Sequence, residues 1–214
     1  MSGSQTHPPR GGNPTPIAGV DGAHRLRLEA LCTEGWAISD QLLEIRQNRF
    51  HPFIAGNYER VLETLARYRA PGLRFLEWGS ATGVITIMAD LLGFEAYGIE
   101  LDSSLVATAR GLAERHRSNA KFAAGSLIPE GYRWRPSDGD GRTGTLGTGP
   151  SGYLILGLPL DDFDLVFGYP WGGEEPMMLD LMQTHGRPDA LLLLHGLDDQ
   201  IRAYRGGHDL VPLP

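Results

Sequence analysis

The stretch Phe75-Leu-Glu-Trp-Gly-Ser-Ala-Thr-Gly83 joins an apolar run to a short turn that contains two glycines. The run over residues 73–78 predicts a buried strand, and the apolar spacing after Gly83 predicts a helix. Gly79 would let a ligand approach the backbone, and Gly83 would let the helix lie close to the sheet. A strand, a glycine turn and a helix in this order indicate a ligand site at the carboxyl edge of a parallel sheet.

An acidic residue lies at the distance that a nucleoside site needs. The next predicted strand, residues 96–100, runs into Gly98-Ile-Glu-Leu-Asp102, and Glu100 follows Gly79 by 21 residues. A carboxylate at the end of the second strand can bind both hydroxyls of a ribose. The two stretches together predict a site for a cofactor that contains a nucleoside.

Strands and helices continue to alternate along the rest of the chain. Further strands are predicted at residues 120–124, 163–167 and 190–194, with helices beginning near Ser103 and at residue 176. This alternation is typical of a parallel sheet that is covered by helices on both faces.

The flanking segments predict the domain organisation. Residues 1–22 are rich in Pro, Gly, Ser and Asn and predict a disordered tail. Residues 23–56 predict an N-terminal helical segment, which Gly35 could divide into two helices. Residues 57–214 are expected to form the main domain, and Asn57 is a suitable N-cap for its first helix.

One glycine-rich stretch interrupts the pattern. Residues 139–152 contain six glycines, and each glycine inside a helix costs about 1 kcal/mol relative to alanine. Residues 131–160 therefore predict an inserted loop. A short hairpin at residues 132–135 and a short helix at residues 153–156 are both compatible with it.

Composition excludes several classes of protein. The 214 residues suit one domain with appendages, and the single cysteine, Cys32, excludes a disulfide framework and a multi-cysteine metal site. No apolar run reaches the roughly 20 residues of a membrane span, and the N terminus does not resemble a secretory signal. We expect a cytoplasmic protein that has no membrane partner and no metal site.

The distribution of charge bears on the partner. The net charge is −7, and residues 75–214 hold ten basic residues against nineteen acidic ones. Because phosphate binding usually needs a basic surface, nucleic acid is disfavoured. The charge favours a small-molecule partner that is neutral or cationic, and it leaves the oligomeric state open.

Two classes of nucleoside-cofactor protein fit this geometry, the dinucleotide-dependent oxidoreductases and the methyltransferases. The turn reads E-x-G-x-x-x-G, whereas a dinucleotide site usually reads G-x-G-x-x-G. A pyrophosphate binds best where little negative charge is nearby. Glu77 beside the turn instead suits a cationic ligand such as the methionyl end of S-adenosylmethionine, which favours a methyltransferase.

The chain resembles the class I (Rossmann-like) S-adenosylmethionine-dependent methyltransferases over residues 57–204. Glu77, Gly79 and Gly83 match the first motif of that family, E/D-x-G-x-G-x-G, with Ala81 in place of the middle glycine. The resemblance implies S-adenosylmethionine as the cofactor. It implies a cofactor site formed by the turn, by the ribose-binding acid and by the ends of the second and third strands: Glu77, Gly79, Ser80, Ala81, Gly83, Glu100, Leu101 and Ser126.

The third and fourth strands end in sequences that depart from the family pattern. Gly125-Ser126 stands where the family often has an Asp for the adenine amine, although Ser126 could still form a hydrogen bond. Residues 168–171, Gly-Tyr-Pro-Trp, resemble a degenerate D/N-P-P-Y/F/W motif of amino-methyltransferases. Because Gly168 replaces the polar acceptor of that motif, methylation of nucleic-acid bases is not predicted.

Candidate catalytic residues come from the ends of the fourth and fifth strands. They are Tyr169, Pro170, Trp171 and His195, with Glu174 and Glu175 as further candidate bases. The residues also have structural interpretations, since Tyr169 and Trp171 could be core aromatics and His195 a buried structural histidine. Glu174 and Glu175 suit the first turn of a helix.

The resemblance implies a doubly wound, mainly parallel Rossmann-like sheet of order 3-2-1-4-5 with N-terminal helices. The family usually adds two more strands, one of them antiparallel. Residues 197–204 predict a helix instead, and the ten residues after it carry Gly206-Gly207 and two prolines, which disfavours a hairpin. We expect the final hairpin to be reduced or absent, and the apolar edge at residues 190–194 to be covered from within the chain.

The function implied is methyl transfer from S-adenosylmethionine to a small-molecule acceptor, by in-line attack of an O, N, C or S atom on the sulfonium methyl. Such an enzyme mainly positions the reactants and excludes water. The N-terminal helices, the insertion and the Tyr-Pro-Trp loop are expected to roof the pocket. Two alternatives stay open: a non-catalytic S-adenosylmethionine-binding or regulatory module, and a nicotinamide-dependent oxidoreductase.

Overall fold

A computed structural model describes residues 21–46, 56–133, 149–171 and 173–213. The helices are α1 (Gly22–Arg46), α2 (Tyr58–Tyr68), α3 (Val84–Leu91), α4 (Ser103–Arg115), α5 (Gly152–Leu156) and α6 (Glu175–His185). The strands are β1 (Arg74–Trp78), β2 (Glu95–Glu100), β3 (Lys121–Ala124), β4 (Leu165–Gly168), β5 (Leu191–His195), β6 (Ile201–Arg205) and β7 (Asp209–Val211).

The seven strands form one sheet in the order β3-β2-β1-β4-β5-β6-β7. The first five strands are parallel, and β1 lies at the centre, with Leu76 paired to Tyr97 on one side and to Val166 on the other. The predicted α/β class, the doubly wound parallel sheet and the order 3-2-1-4-5 are confirmed. Since the order reverses at β1 and β4, the carboxyl ends of these two strands flank the usual ligand crevice of such sheets.

The prediction for the end of the sheet is wrong. Residues 201–205 form strand β6 rather than part of a helix, and a complete antiparallel hairpin of β6 and β7 follows β5. Gly206 and Gly207 adopt φ values of +53° and +75°, which makes a tight turn possible within few residues. Ile201 and Ala203 are buried at alternate positions, as one face of a strand requires.

The hairpin explains how the apolar edge of β5 is protected. Strand β6 pairs with β5 along its whole length, from Leu191 with Arg205 to His195 with Ile201. The strand that covers β5 therefore comes from the same chain, as expected, although it belongs to a hairpin that was expected to be reduced or absent.

Two apolar clusters cover the two faces of the sheet. Helices α1 to α4 pack on one face around Val61, Leu65, Phe75, Met88 and Leu112. Helices α5 and α6 pack on the other face, around residues that include Trp78, Tyr153, Phe163, Met178 and Leu181. Successive residues of β1 point to opposite clusters, which is the alternation that a sheet buried on both faces requires.

Helix α1 runs without interruption, so the possible break at Gly35 does not occur. A Cβ atom at Gly35 would lie 2.7 Å from Cγ2 of Val84. Gly35 therefore allows α1 to approach the start of α3 closely. A salt bridge between Arg115 and Glu34 also ties α1 to the end of α4.

The glycine-rich insertion is described only at its two ends. The predicted short helix at residues 153–156 is confirmed as α5, and a short 3-10 helix follows at Leu160–Asp162. Residues 134–148, which include half of the predicted hairpin at 132–135, lie outside the described residues, as do residues 1–20 of the predicted tail. Over the described ranges, no helix is long and apolar enough to cross a membrane.

Candidate functional site

The glycine turn lies at the carboxyl end of β1 and is fixed to the end of β2. The backbone N–H groups of Gly79 and Ser80 both donate to the carbonyl of Ile99, at 2.9 and 3.0 Å. Gly79 and Gly83 have φ values of +69° and +78°, a region in which side chains are strained. A Cβ at Gly83 would also lie 2.7 Å from the Phe122 ring, so this glycine does permit close helix packing.

Ala81 occupies the place of the missing motif glycine and adopts the conformation that a glycine would favour. Its φ is +46°, in the left-handed region that few non-glycine residues enter. Its N–H donates to Oε2 of Glu100 at 2.9 Å. The bond to Glu100 helps to hold the turn in this conformation despite the alanine side chain.

Glu100 connects the two halves of the predicted cofactor site. While Oε2 accepts from Ala81, Oε1 accepts from the N–H of Asp102 at 2.9 Å. Burial raises the pKa of this half-buried carboxyl, although the backbone N–H donors act in the opposite direction. A carboxylate can accept about four hydrogen bonds, so Glu100 retains acceptor capacity for ribose hydroxyls.

Glu77 lies under the turn in the protein interior, with 5% of its surface exposed. Its Oε2 accepts from the Thr86 N–H at 2.9 Å and from the Thr86 hydroxyl, both in the first turn of α3. Burial raises the pKa of Glu77 to about 8, and the nearby Glu100 carboxylate acts in the same direction. A cation bound beside Glu77 would lower this pKa.

The two predicted serines differ in the contacts that their side chains make. Ser80 is buried, and a Cβ at Gly98 would lie 2.7 Å from its Oγ, which has no hydrogen-bond partner among the described residues. The Oγ of Ser126 accepts from the N–H of Ile128 at 3.1 Å. Leu101 lies half-buried directly after Glu100.

The Tyr-Pro-Trp loop follows β4 at the same edge of the sheet. Pro170 is buried, and Tyr169 and Trp171 are half-buried. The backbone of Trp171 is fixed by Glu174, whose Oε2 accepts from the Trp171 N–H at 2.9 Å. Glu174 is 2% exposed, while Glu175 accepts from the hydroxyl of Tyr204 at 2.8 Å. Both glutamates thus hold this end of α6 in place.

His195 ends β5 and stacks on Tyr169, with 4.9 Å between the ring centroids and 20° between the planes. It is 2% exposed, and its Nε2 lies 3.1 Å from Oδ1 of Asp199. Neither ring nitrogen makes an aligned hydrogen bond within the described residues, so the approach to Asp199 is an electrostatic contact. Burial lowers the pKa of His195, and Asp199 partly opposes that effect.

Sequence reasoning did not identify Asp199 as part of this edge. Its Oδ2 accepts from Nδ2 of Asn57 at 3.1 Å, and it lies 3.4 Å from Nε of Arg60. Asn57 was predicted as the N-cap of α2, and its Oδ1 does accept from the Arg60 N–H. Asp199 and Asn57 are 142 positions apart in the chain. The spacing of neighbouring residues therefore cannot predict their contact.

Comparisons with known proteins place these observations in context. No protein-family model matches the chain. A ribosomal protein L11 methyltransferase of Thermus thermophilus is 35% identical over 78 residues, which are 35% of this chain and 31% of that protein. The same enzyme of Ralstonia nicotianae is 37% identical over 71 residues, covering 33% of this chain and 24% of that protein. The matches thus span less than a third of these relatives.

Over these 71 to 78 residues, the chain is similar to ribosomal protein L11 methyltransferases.

Solved structures of methyltransferases are also similar. A precorrin-6y C5,15-methyltransferase of Geobacter metallireducens has a TM-score of 0.48 at 16% identity, covering 69% of this chain and 67% of that one. An RNA methyltransferase of Salinibacter ruber, in complex with S-adenosylhomocysteine, has a TM-score of 0.44 at 14% identity, covering 66% and 76%.

The candidate site residues form two groups at the carboxyl edge of the parallel strands. The glycine turn, Glu77 and Glu100 lie at the ends of β1 and β2, while Tyr169, Trp171 and His195 lie at the ends of β4 and β5. Since β1 and β4 are adjacent in the sheet, a ligand on the first part can meet a second ligand on the other. Within the described ranges, no group of three or more His, Cys, Asp or Glu is placed to hold a metal ion.

Proposed function

We propose that the chain binds S-adenosylmethionine at the ends of β1 and β2 and transfers its methyl group to an acceptor at the ends of β4 and β5. The observation that carries this proposal is the position of Glu100. Its carboxylate holds the Ala81 N–H of the glycine turn at 2.9 Å and retains acceptor capacity for ribose hydroxyls.

The residues of this edge fit the cofactor in shape and in charge. Gly79 has a positive φ and no side chain between its backbone and a ligand. Glu77 supplies a buried carboxyl that can neutralise a positive charge on the methionyl end. When bound, S-adenosylmethionine supplies an electrophilic methyl on a sulfonium centre, and the chain's own residues orient it and keep water away.

On the acceptor side, the chain offers an aromatic surface and a candidate base. The ring of Tyr169 is held by stacking on His195, which fixes one wall against which an acceptor can be oriented. His195, with a pKa lowered by burial, is neutral near pH 7 and can accept a proton from the attacking group. The low exposure of His195 means that Tyr169 must shift for a direct transfer.

The nature of the acceptor is the finer part of the proposal. The two relatives are named for a ribosomal protein, and we therefore propose a protein acceptor in place of the small molecule expected from the sequence. A small cationic molecule is the second candidate, because the C-terminal part of the chain is acidic. An amine suits both candidates, since it is cationic until it loses a proton.

The test uses the purified chain and S-adenosylmethionine labelled in the methyl group. Ribosomal protein L11 and a mixture of small primary amines are offered in separate reactions, and labelled product and S-adenosylhomocysteine are measured. Formation of both in either reaction supports methyl transfer and identifies the acceptor class. Binding of the cofactor with no product from any acceptor would support a non-catalytic module, and binding of NAD in its place would support the oxidoreductase alternative.

A further inference from the structure

A cavity lies on the face of the sheet that α5 and α6 cover. Its volume is about 690 Å³, and it lies between α5, the 3-10 helix at Leu160–Asp162 and the end of α6. No residue of the glycine turn and neither Glu77 nor Glu100 lines it. Cavities of about 300–1,000 Å³ with mostly apolar walls commonly bind small molecules.

The wall of this cavity is fixed by contacts outside it. The Tyr153 hydroxyl accepts from Nε1 of Trp78 at 2.8 Å, which holds that ring against the sheet. The Tyr132 hydroxyl donates to Oδ2 of Asp180 at 2.7 Å, and its ring meets His185 edge to face. These contacts hold the first residues of the insertion against α6, so the cavity exists before any ligand binds.

A buried hydroxyl lies in this wall with no partner. Ser151 lines the cavity and is 7% exposed, and its Oγ has no hydrogen-bond partner among the described residues. The backbone around it is fixed, because Ser126 pairs with Ser151 in a parallel bridge. A buried hydroxyl that makes no hydrogen bond is unfavourable, and a polar atom of a ligand would remove that cost.

Two acidic residues give the described part of the cavity lining a negative charge. Glu130 and Asp161 line the cavity and are exposed, and neither makes an ion pair within the described part of the chain. Among the described residues, no lysine or arginine lines the cavity, and the lining histidine, His185, has Nδ1 2.8 Å from the Thr184 hydroxyl. The two carboxylates would repel an anion, whereas they would attract an ammonium group.

We propose that this cavity is a binding site for a small organic cation with an apolar body. The body lies against Tyr153, Leu158 and Leu160, the ammonium group lies near Glu130 and Asp161 at the opening, and a polar atom reaches the Ser151 hydroxyl. The site is separate from methyl transfer, so it can be tested in the absence of any cofactor.

The test compares three indole compounds whose two-carbon side chains end in different groups: tryptamine in an ammonium group, tryptophol in a hydroxyl and 3-indolepropionate in a carboxylate. The full chain is labelled in its leucine methyl groups and titrated with each compound, and the shifts of Leu158 and Leu160 are followed by NMR. We expect tryptamine to shift both residues saturably and more tightly than tryptophol, with 3-indolepropionate weakest, while Leu62 on the opposite face stays unchanged. Absence of a saturable shift, or equal binding of all three compounds, would overturn the proposal.

Two sets of substitutions test the groups involved. Glu130→Gln with Asp161→Asn should weaken tryptamine by about threefold to tenfold, as expected for two exposed charge contacts, and should leave tryptophol unchanged. The control is Glu63→Gln with Glu114→Gln, which removes two exposed charges from α2 and α4. Ser151→Ala should weaken both compounds, because it removes the hydroxyl and keeps the charges. Equal tryptamine affinity in all variants would contradict the assignment.

Discussion

The ring of Tyr169 lies on the ring of His195, with 4.9 Å between the centroids and 20° between the planes. Nε2 of His195 lies 3.1 Å from Asp199, and Asp199 accepts from Asn57 at the start of α2. Asp199 therefore connects the proposed acceptor site to helix α2, which precedes all seven strands in the chain.

Asp199→Asn tests whether the Asp199 carboxylate sets the pKa of His195. Because the Asp199 carboxylate raises the pKa of His195 while burial and Arg60 lower it, removal of the negative charge should lower this pKa further. An NMR titration of the His195 ring measures the change. Asp198→Asn is the control, since Asp198 pairs with Arg202 instead and should leave His195 unaffected. An unchanged His195 titration in Asp199→Asn would contradict the assignment of Asp199.

Stability should depend on pH through Glu77. Its pKa is about 8 in the folded protein against a usual value of 4.5, so the folded state binds a proton that the unfolded state releases. The resulting stabilisation is complete below pH 4.5 and is lost as the pH rises through about 8, with a slope of at most about 1.4 kcal/mol per pH unit. Denaturation by urea at pH 5, 7 and 9 measures it.

Glu77→Gln should remove this dependence, because an amide keeps an acceptor oxygen for Thr86 and does not ionise. We expect the variant to be more stable than the original chain at pH 9 by roughly 1 kcal/mol or more. Glu63→Gln, at an exposed position of α2, is the matched control and should keep the original pH profile. Identical profiles for Glu77→Gln and the original chain would show that Glu77 is ionised in the folded state.

Cofactor binding should release a proton if the methionyl end meets Glu77. A cation near this carboxyl lowers its pKa, so that the group loses its proton between about pH 5 and pH 8. Calorimetry of S-adenosylmethionine binding at pH 7, in two buffers of different ionisation enthalpy, counts the protons released. Glu77→Gln should release none. An equal count in both proteins would place the cationic end away from Glu77.

The two glycines with similar backbone angles should differ in their tolerance of a side chain. Gly72 and Gly83 have φ values of +77° and +78°, but a Cβ at Gly72 meets nothing within 4 Å, whereas one at Gly83 lies 2.7 Å from Phe122. Gly72→Ala should cost about 1 kcal/mol of backbone strain, and Gly83→Ala about 1–3 kcal/mol more through overpacking. Equal unfolding free energies would show that α3 can move away from Phe122.

The sequence predicts those parts of the fold that depend on the pattern of apolar residues, glycines and acidic residues close together in the chain. The apolar run before Gly79, the glycine turn and the position of Glu100 are read from neighbouring residues, and they locate β1, β2 and the edge of the site. The hairpin after β5 was missed because β6 gains its stability from pairing with β5. Its local signals were the alternation of apolar Ile201 and Ala203 with polar residues and the Gly206-Gly207 turn.

The site shows the same division between local and distant information. The spacing of Glu77 and Glu100 predicted a cofactor site at this edge of the sheet. The hydrogen bond from Thr86 to Glu77, in contrast, depends on how α3 packs against the sheet. Asp199 reaches His195 only because the β5–β6 turn brings it back, with φ of +59°. Contacts of this kind are fixed by tertiary packing, which the spacing of residues along the chain does not encode.

The central claim is that Glu100 holds the ribose of S-adenosylmethionine, and calorimetric titration of the purified chain with this cofactor tests it most directly. The original chain and Glu114→Ala, which removes an exposed acid of α4, are predicted to bind with equal affinity. Glu100→Ala is predicted to lose about 1.5–3 kcal/mol, the value of hydrogen bonds to a charged group. Failure of the original chain to bind, or unchanged affinity in a folded Glu100→Ala protein, would contradict the claim.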